Sequence, residues 1–214
     1  RFYTEDDFTD VKKGILKDDV PKPSFGTPFP GDCKYVDKDG NGVIDTDYRT
    51  YLGYSTQRPE YVFGLNGGID WKGWSFSMQW TGATHVSRNL ATEYRIPFSP
   101  NGARALFKYH ADERWTPETA KTATMPRFSD SSKALNYDQN SSLWVKDASY
   151  IRLKNVQLGY TFNKKGWLRT IGLNSLNVYV SGYNLLTFDK IKFIDPEAPT
   201  NGGNSNQYPI AKMV

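Results

Sequence analysis

The 214-residue chain has no run of apolar residues long enough to cross a bilayer as a helix. Such a helix needs about 18 consecutive apolar residues. Here the hydrophobic fraction is 38% and the mean hydropathy is −0.64. These values exclude a helical membrane protein. They leave a membrane β-barrel open, because barrel strands alternate apolar and polar residues and so have a soluble-looking average hydropathy.

Residues for catalysis and for nucleic-acid binding are also scarce. Cys33 is the only cysteine, and neither His85 nor His110, the only histidines, has a partner at metal-ligand spacing. No nucleophile elbow or phosphate-binding loop is present. The net charge is a mild +4, and no run of five basic residues occurs. The sequence therefore predicts neither an enzyme nor a protein that binds nucleic acid.

Aromatic residues are abundant, at 15% of the chain, and many fall in alternating segments. In YVFGLNGGIDW, residues 61–71, large apolar residues occupy one face, and small or polar residues occupy the other. After the dipeptide Lys72-Gly73, the segment WSFSMQWT repeats this alternation. A two-residue turn makes Trp71 and Trp74 cross-strand partners, so the two apolar stripes merge. We predict a hairpin over residues 61–81.

A second hairpin is predicted over residues 148–188, from ASYIRLKNVQLGYTF and SLNVYVSGYNLLTF. The alternation changes phase near Lys154-Asn155, which predicts a β-bulge. The remaining ranges, 1–60, 82–147 and 189–214, are predicted to be long loops, the second with a short helix in NGARALFKYHADERW capped by Asn101.

Long and short connections alternate along the chain, which favours an all-β, antiparallel transmembrane β-barrel with short periplasmic turns and long extracellular loops. Period-two alternation alone does not exclude the alternative, a secreted, calcium-stiffened, carbohydrate-binding β-sandwich. In a sandwich the apolar faces would point into a core instead of lipid.

The segment DKDGNGVID matches the first part of an EF-hand-like calcium loop. Its candidate ligands for Ca²⁺ are Asp37, Asp39, Asn41, the carbonyl of Val43 and Asp45. The twelfth position needs an acidic residue and is Tyr48, with Asp47 one place early. The alternative is a turn whose side chains bind their own backbone.

Aromatic residues near the predicted short connections, Trp71, Trp74 and Trp167, are candidates for the periplasmic membrane interface of a barrel. Ordinary core packing is the alternative. Tyr179 and Tyr183 are predicted to face the lumen, where they could stack on sugar rings or simply pack.

Five phrases occur in order: PGDCKYVDKDGNGVIDTDYRTYLG, YVFGLNGGIDWKGWSFSMQWTG, RWTPET with MPRFS, SLWVKDASYIRLKNVQLGYTF and LNVYVSGYNLLTFDKIKFIDPE. Together they resemble the C-terminal barrel part of a SusC/RagA-family TonB-dependent outer-membrane receptor. The resemblance covers nearly the whole chain from about Gly31 onward.

The resemblance implies an importer of glycans or peptides in the outer membrane of Bacteroidetes, with a SusD-like lipoprotein as its partner. It also implies that the plug, the segment that contacts TonB and the last barrel strand lie outside these residues. Outer-membrane lipid would surround the barrel. The calcium loop would then stiffen an external loop near the lipoprotein.

Overall fold

The computed structural model describes residues 1–47, 49–90, 92–98, 106–129, 134–163, 166–191, 194–197 and 211–213. Within these ranges, every helix is too short or too polar to span a membrane. The strands, in chain order, are β1 (Phe8–Asp10), β2 (Ile15–Leu16), β3 (Lys22–Pro23), β4 (Val43–Ile44), β5 (Tyr61–Trp71), β6 (Trp74–Thr84), β7 (Ser87–Asn89), β8 (Val145–Asp147), β9 (Tyr150–Asn163) and β10 (Ser175–Asp189). The helices are a 3₁₀ turn (Glu5–Asp7) and α1 (Thr92–Arg95), α2 (Lys108–Asp112), α3 (Ala134–Tyr137) and α4 (Gly166–Thr170).

The four long strands form one antiparallel sheet in the order β10-β9-β6-β5. Its first hairpin is the predicted one: Trp71 pairs with Trp74 across the turn Lys72-Gly73. Both turn residues have positive φ, 48° and 93°, as a two-residue hairpin turn of the favoured twist requires. The second strand of this hairpin runs three residues further than predicted, to Thr84.

A bulge interrupts the sheet where the sequence changes phase. Gln79 pairs with Asn155, but the next pair is Trp80 with Leu153, so Lys154 is the extra residue on β9. The pairing of β10 shifts at the same place, between Tyr183 and Leu186. The bulge keeps the apolar residues before and after it on the same face, as predicted.

The chain divides into two compact units. The loop unit comprises Arg1–Leu52 and Asn89–Val145, and the sheet unit comprises Gly53–Arg88 and Lys146–Val214. The loop unit has its own hydrophobic core, formed by the buried residues Tyr3, Phe8, Leu16, Val20 and Leu135. Described parts of two predicted long loops, 1–60 and 82–147, therefore form a packed structure.

A buried carboxylate also links distant segments within the loop unit through hydrogen bonds. Asp32 is fully buried, and its side chain accepts hydrogen bonds from Arg127 Nε at 2.6 Å and from Asn136 Nδ2 at 2.8 Å. Asn136 Oδ1 in turn accepts the backbone N–H of Cys33 at 2.8 Å. These contacts join segments about a hundred residues apart in sequence.

The loop helix is shorter than the segment NGARALFKYHADERW in which it was predicted. The helix α2 begins at Lys108, with Phe107 at its N-terminal cap position. Asn101, the predicted cap, lies outside the described residues. His110 is buried in this helix, and its Nε2 lies 2.9 Å from the carbonyl oxygen of Tyr94.

Candidate functional site

One face of the four-stranded sheet is apolar from edge to edge. Residues in register across the strands form rows, two of which are Trp71–Trp74–Tyr160–Val178 and Ile69–Phe76–Leu158–Val180. Leu65, Trp71 and Trp74 are 60%, 63% and 49% exposed. This surface therefore suits an apolar environment outside the chain.

The exposure of this face bears directly on the alternative fold. A β-sandwich would bury Trp71 and Trp74 between two stacked sheets. Both tryptophans are exposed, and within the described residues the other sheets have only two strands each. The sandwich therefore has no support.

Aromatic side chains line the end of the apolar face where the short connections lie. Ring centroids are 4.9 Å apart for Trp74 and Tyr160, 4.6 Å for Tyr160 and Phe162, and 5.9 Å for Phe162 and Trp167. Trp71 is the cross-strand partner of Trp74. The structure thus brings the three predicted interface tryptophans to the same end of the sheet. Their contact with the membrane surface stays a prediction.

The opposite end of the apolar face also carries large aromatic side chains. The rings of Trp80 and Phe188 stack with centroids 6.5 Å apart, and the Phe63 ring lies over Gly82, its cross-strand partner. From Tyr61 to Trp71, ten steps of about 3.3 Å at a tilt of about 40° span about 25 Å. This is about the height of the apolar band of a membrane barrel.

The other face of the sheet is polar. Two rows in register at its middle are Asn66–Gln79–Asn155–Tyr183 and Gly68–Ser77–Gln157–Ser181. Asn155 Nδ2 donates to Gln79 Oε1 at 2.7 Å. These rows line a concave, amide-rich region, the polar patch, and none of the described residues that line it is charged.

The two predicted lumen tyrosines lie on this polar face. Tyr183 lines the polar patch, and Tyr179 lies nearer the short connections, in register with Gly159. Both side chains are exposed. Their position allows a ring to contact a ligand in the patch, and their role in the lumen stays a prediction.

A charged cluster at the other end of the polar face was not predicted from the sequence. Arg152, on β9, is 2% exposed and forms ion pairs with Asp195 and Glu197, which follow β10. Lys154 binds Glu197 as well, with Nζ 2.7 Å from Oε2. The partners are 43 and 45 residues apart, so no local pattern could have shown the pairing.

The DKDGNGVID loop binds its own backbone. The Asp37 carboxylate accepts the N–H groups of Gly40 at 2.9 Å and Gly42 at 2.8 Å, and Asn41 Oδ1 accepts the N–H of Val43 at 2.7 Å. The hydrogen bonds from Gly42 and Gly40 lower the pKa of the Asp37 carboxyl, so it is ionised at neutral pH.

The side chains of this loop were also candidates for metal ligands. Among the residues that the structure describes, no three His, Cys, Asp or Glu side chains form a group that could hold a metal ion. Tyr48, at the twelfth position of the motif, is not among those residues. The arrangement fits the self-bonded turn, and calcium binding by Asp39 and Asp45 stays a prediction.

Comparison with known sequences finds receptors. No family model matches the chain. The chain is 34% identical over 203 residues to TonB-dependent receptor P26 of Formosa agariphila, covering 92% of the chain and 20% of the relative. It is 26% identical over 186 residues to TonB-dependent receptor SusC of Bacteroides thetaiotaomicron, covering 85% and 17%. The chain thus spans about a fifth of the length of the curated relatives it matches.

Comparison with solved structures agrees. The RagAB peptide importer in its open-open state matches with a TM-score of 0.54 and 26% identity, over 74% of this chain and 16% of that one. The closed-closed state matches with a TM-score of 0.58 over 92% and 21%, and at 24% identity it supports the fold alone. The resemblance seen in the sequence is confirmed by both comparisons.

Proposed function

We propose that this chain is a SusC/RagA-like segment of a TonB-dependent receptor barrel in the bacterial outer membrane, and that its sheet lines the import path of a transporter for glycans or oligopeptides. Its relatives are named as receptors, in agreement with the predicted lack of enzymatic activity. The proposed partners of the whole receptor are a SusD-like surface lipoprotein and TonB.

The observation that carries this proposal is the contrast between the two faces of the sheet. Tyr61–Trp71 and the three other long strands have 11 to 15 residues each, long enough to cross the membrane at a tilt. Their apolar face is exposed and bordered by aromatic rings, and their polar face offers amides and hydroxyl groups. In the barrel, lipid would contact the first face and substrate the second.

Two observations bear on the substrate. Tyr179 and Tyr183 are exposed on the polar face, as expected for rings that stack on sugars. The solved structures compared above are described as a peptide importer, and peptides can also bind through amides such as those of Gln79 and Asn155. Both substrate classes therefore belong to the proposal.

The proposal can be tested in cells that produce the full-length receptor. We expect uptake of fluorescent oligosaccharides or oligopeptides to need both the receptor and TonB. Gln79→Trp should reduce uptake several-fold, because the indole would fill the polar patch, whereas Phe76→Trp on the apolar face should leave uptake unchanged. Uptake that survives deletion of the receptor gene, or that falls equally in both variants, would contradict the proposal.

A further inference from the structure

The four long strands carry very few charges. Their only cations are Arg152 and Lys154, both on β9, and their only anions are Asp70 and Asp189. Arg152 lies in the row Gly64–Thr81–Arg152–Thr187, directly beside the row that begins the polar patch. The two cations are thus the groups of this wall that could attract an anionic ligand.

Both cations are already bound by carboxylates of the chain. The Arg152 guanidinium donates from Nη2 to both oxygens of Asp195, at 2.9 and 2.8 Å, and from Nη1 to Glu197 Oε2 at 2.5 Å. Lys154 Nζ donates to the same Glu197 oxygen at 2.7 Å. We call residues 195–197 the strap.

Further contacts fix the strap on the polar face. Tyr150 donates its hydroxyl to Glu197 Oε1 at 2.7 Å, and Arg88 Nη2 donates to the carbonyl of Pro196 at 3.0 Å. The backbone N–H of Glu197 donates to Asp195 Oδ1 at 2.8 Å. Side chains of β9 and of Arg88 therefore hold the strap where its two carboxylates neutralise Arg152 and Lys154.

We propose that Asp195 and Glu197 are specificity-determining residues that mask the two cations of this wall and make it selective for uncharged ligands. This inference rests on the proposed function, since it assigns the polar face to the substrate path. Because no described residue that lines the patch is charged, masking of the cation pair leaves hydrogen bonds and contacts with the Tyr183 ring as the means of recognition there. With the carboxylates removed, Lys154 and Arg152 would attract polyanions.

The masking is electrostatic, so removing the two carboxylates should strengthen the binding of anionic ligands. In the double variant Asp195→Asn with Glu197→Gln, the amides keep the size of the side chains, but two negative charges are lost and the net charge of the cluster rises by two. Lys154 is the member of the cluster nearest solvent, with 32% of its side chain exposed. A ligand could therefore reach it without displacing the strap.

The test compares dextran sulfate with neutral dextran of the same length, bound to purified full-length receptor in detergent at low salt. We expect the double variant to bind dextran sulfate about tenfold more tightly than the natural receptor does. Binding of neutral dextran should not change. Adding Lys154→Met and Arg152→Met to the double variant should abolish the gain, and salt should weaken it.

Two results would overturn the proposal: a folded double variant with no gain for dextran sulfate, or a natural receptor whose binding of dextran sulfate already depends on Lys154. Heat-modifiable migration on gels identifies folded barrels. If the double variant does not fold, Glu197→Gln alone keeps the bidentate Arg152–Asp195 pair and should still give a gain of about threefold. Because the assay needs no import, failure of masking and failure of the transport proposal remain distinguishable.

Discussion

Which face of the sheet contacts lipid can be decided with two neighbouring residues. Leu65 lies on the apolar face of β5 and is 60% exposed, and Asn66 lies on the polar face beside it. Leu65 is six residues from Trp71. At about 3.3 Å per residue and a tilt of about 40°, that places it about 15 Å from the aromatic edge, near the centre of a band about 25 Å tall.

An arginine at the centre of the lipid face costs about 2–4 kcal/mol of barrel stability, because its charge must leave water. We therefore expect Leu65→Arg to lower the free energy of unfolding of the full-length receptor by this amount. Asn66→Arg introduces the same side chain one residue away, on the face that we assign to water. It should cost no more than about 0.5 kcal/mol.

The measurement is the urea unfolding midpoint of each receptor variant in phosphatidylcholine vesicles, followed by tryptophan fluorescence. Trp71→Arg serves as a depth control and should cost about 1 kcal/mol or less as a charge at the interface, apart from its lost ring contacts. If Asn66→Arg destabilises the barrel as much as Leu65→Arg does, the two faces have been assigned wrongly.

Three further predictions concern single positions. Burial, and to a lesser extent the charge of Asp32, raises the pKa of the Cys33 thiol to about 12. Because iodoacetamide reacts with the thiolate, it should label Cys33 at pH 8 about a thousandfold more slowly in the native protein than in the unfolded chain. The Asp37 carboxylate already accepts two backbone N–H groups, so a calcium chelator should shift the melting temperature by less than about 2 °C, whereas a larger drop would show a bound ion. A Cβ at Gly82 would overlap the Phe63 ring and lie 2.8 Å from a backbone oxygen, so Gly82→Ala should cost about 1–3 kcal/mol in urea unfolding, unlike Gly166→Ala in open space.

The two hairpins of the sheet could be predicted from the sequence because the information that specifies them is local. Alternation over residues 61–71 assigns each side chain to a face, and the dipeptide Lys72-Gly73 sets the register of the next strand. The phase change near Lys154-Asn155 likewise predicts a bulge from the sequence of one strand alone. Each of these features depends on neighbours within a few residues, so a single segment is enough to show it.

The contacts that fix the loops could not be predicted in this way. Asp195 and Glu197 stand in a polar stretch where solvated carboxylates are the ordinary expectation. Their partner Arg152 lies on a strand more than forty residues earlier. In the loop unit, Asp32 and Arg127 are 95 residues apart. Pairing over such distances depends on the folded path of the chain, and a single sequence does not contain a periodic signal for it.

The two units of the chain place their apolar residues in opposite ways. The loop unit buries Tyr3, Leu135 and Trp144 almost completely, as a domain in water buries its core. The sheet unit exposes side chains such as Ile69 and Trp71 along a continuous face. Had both units folded for water, the second would carry an apolar surface that favours aggregation. The two arrangements fit two surroundings, lipid for an exposed apolar face of a barrel wall and water for a unit with a buried core.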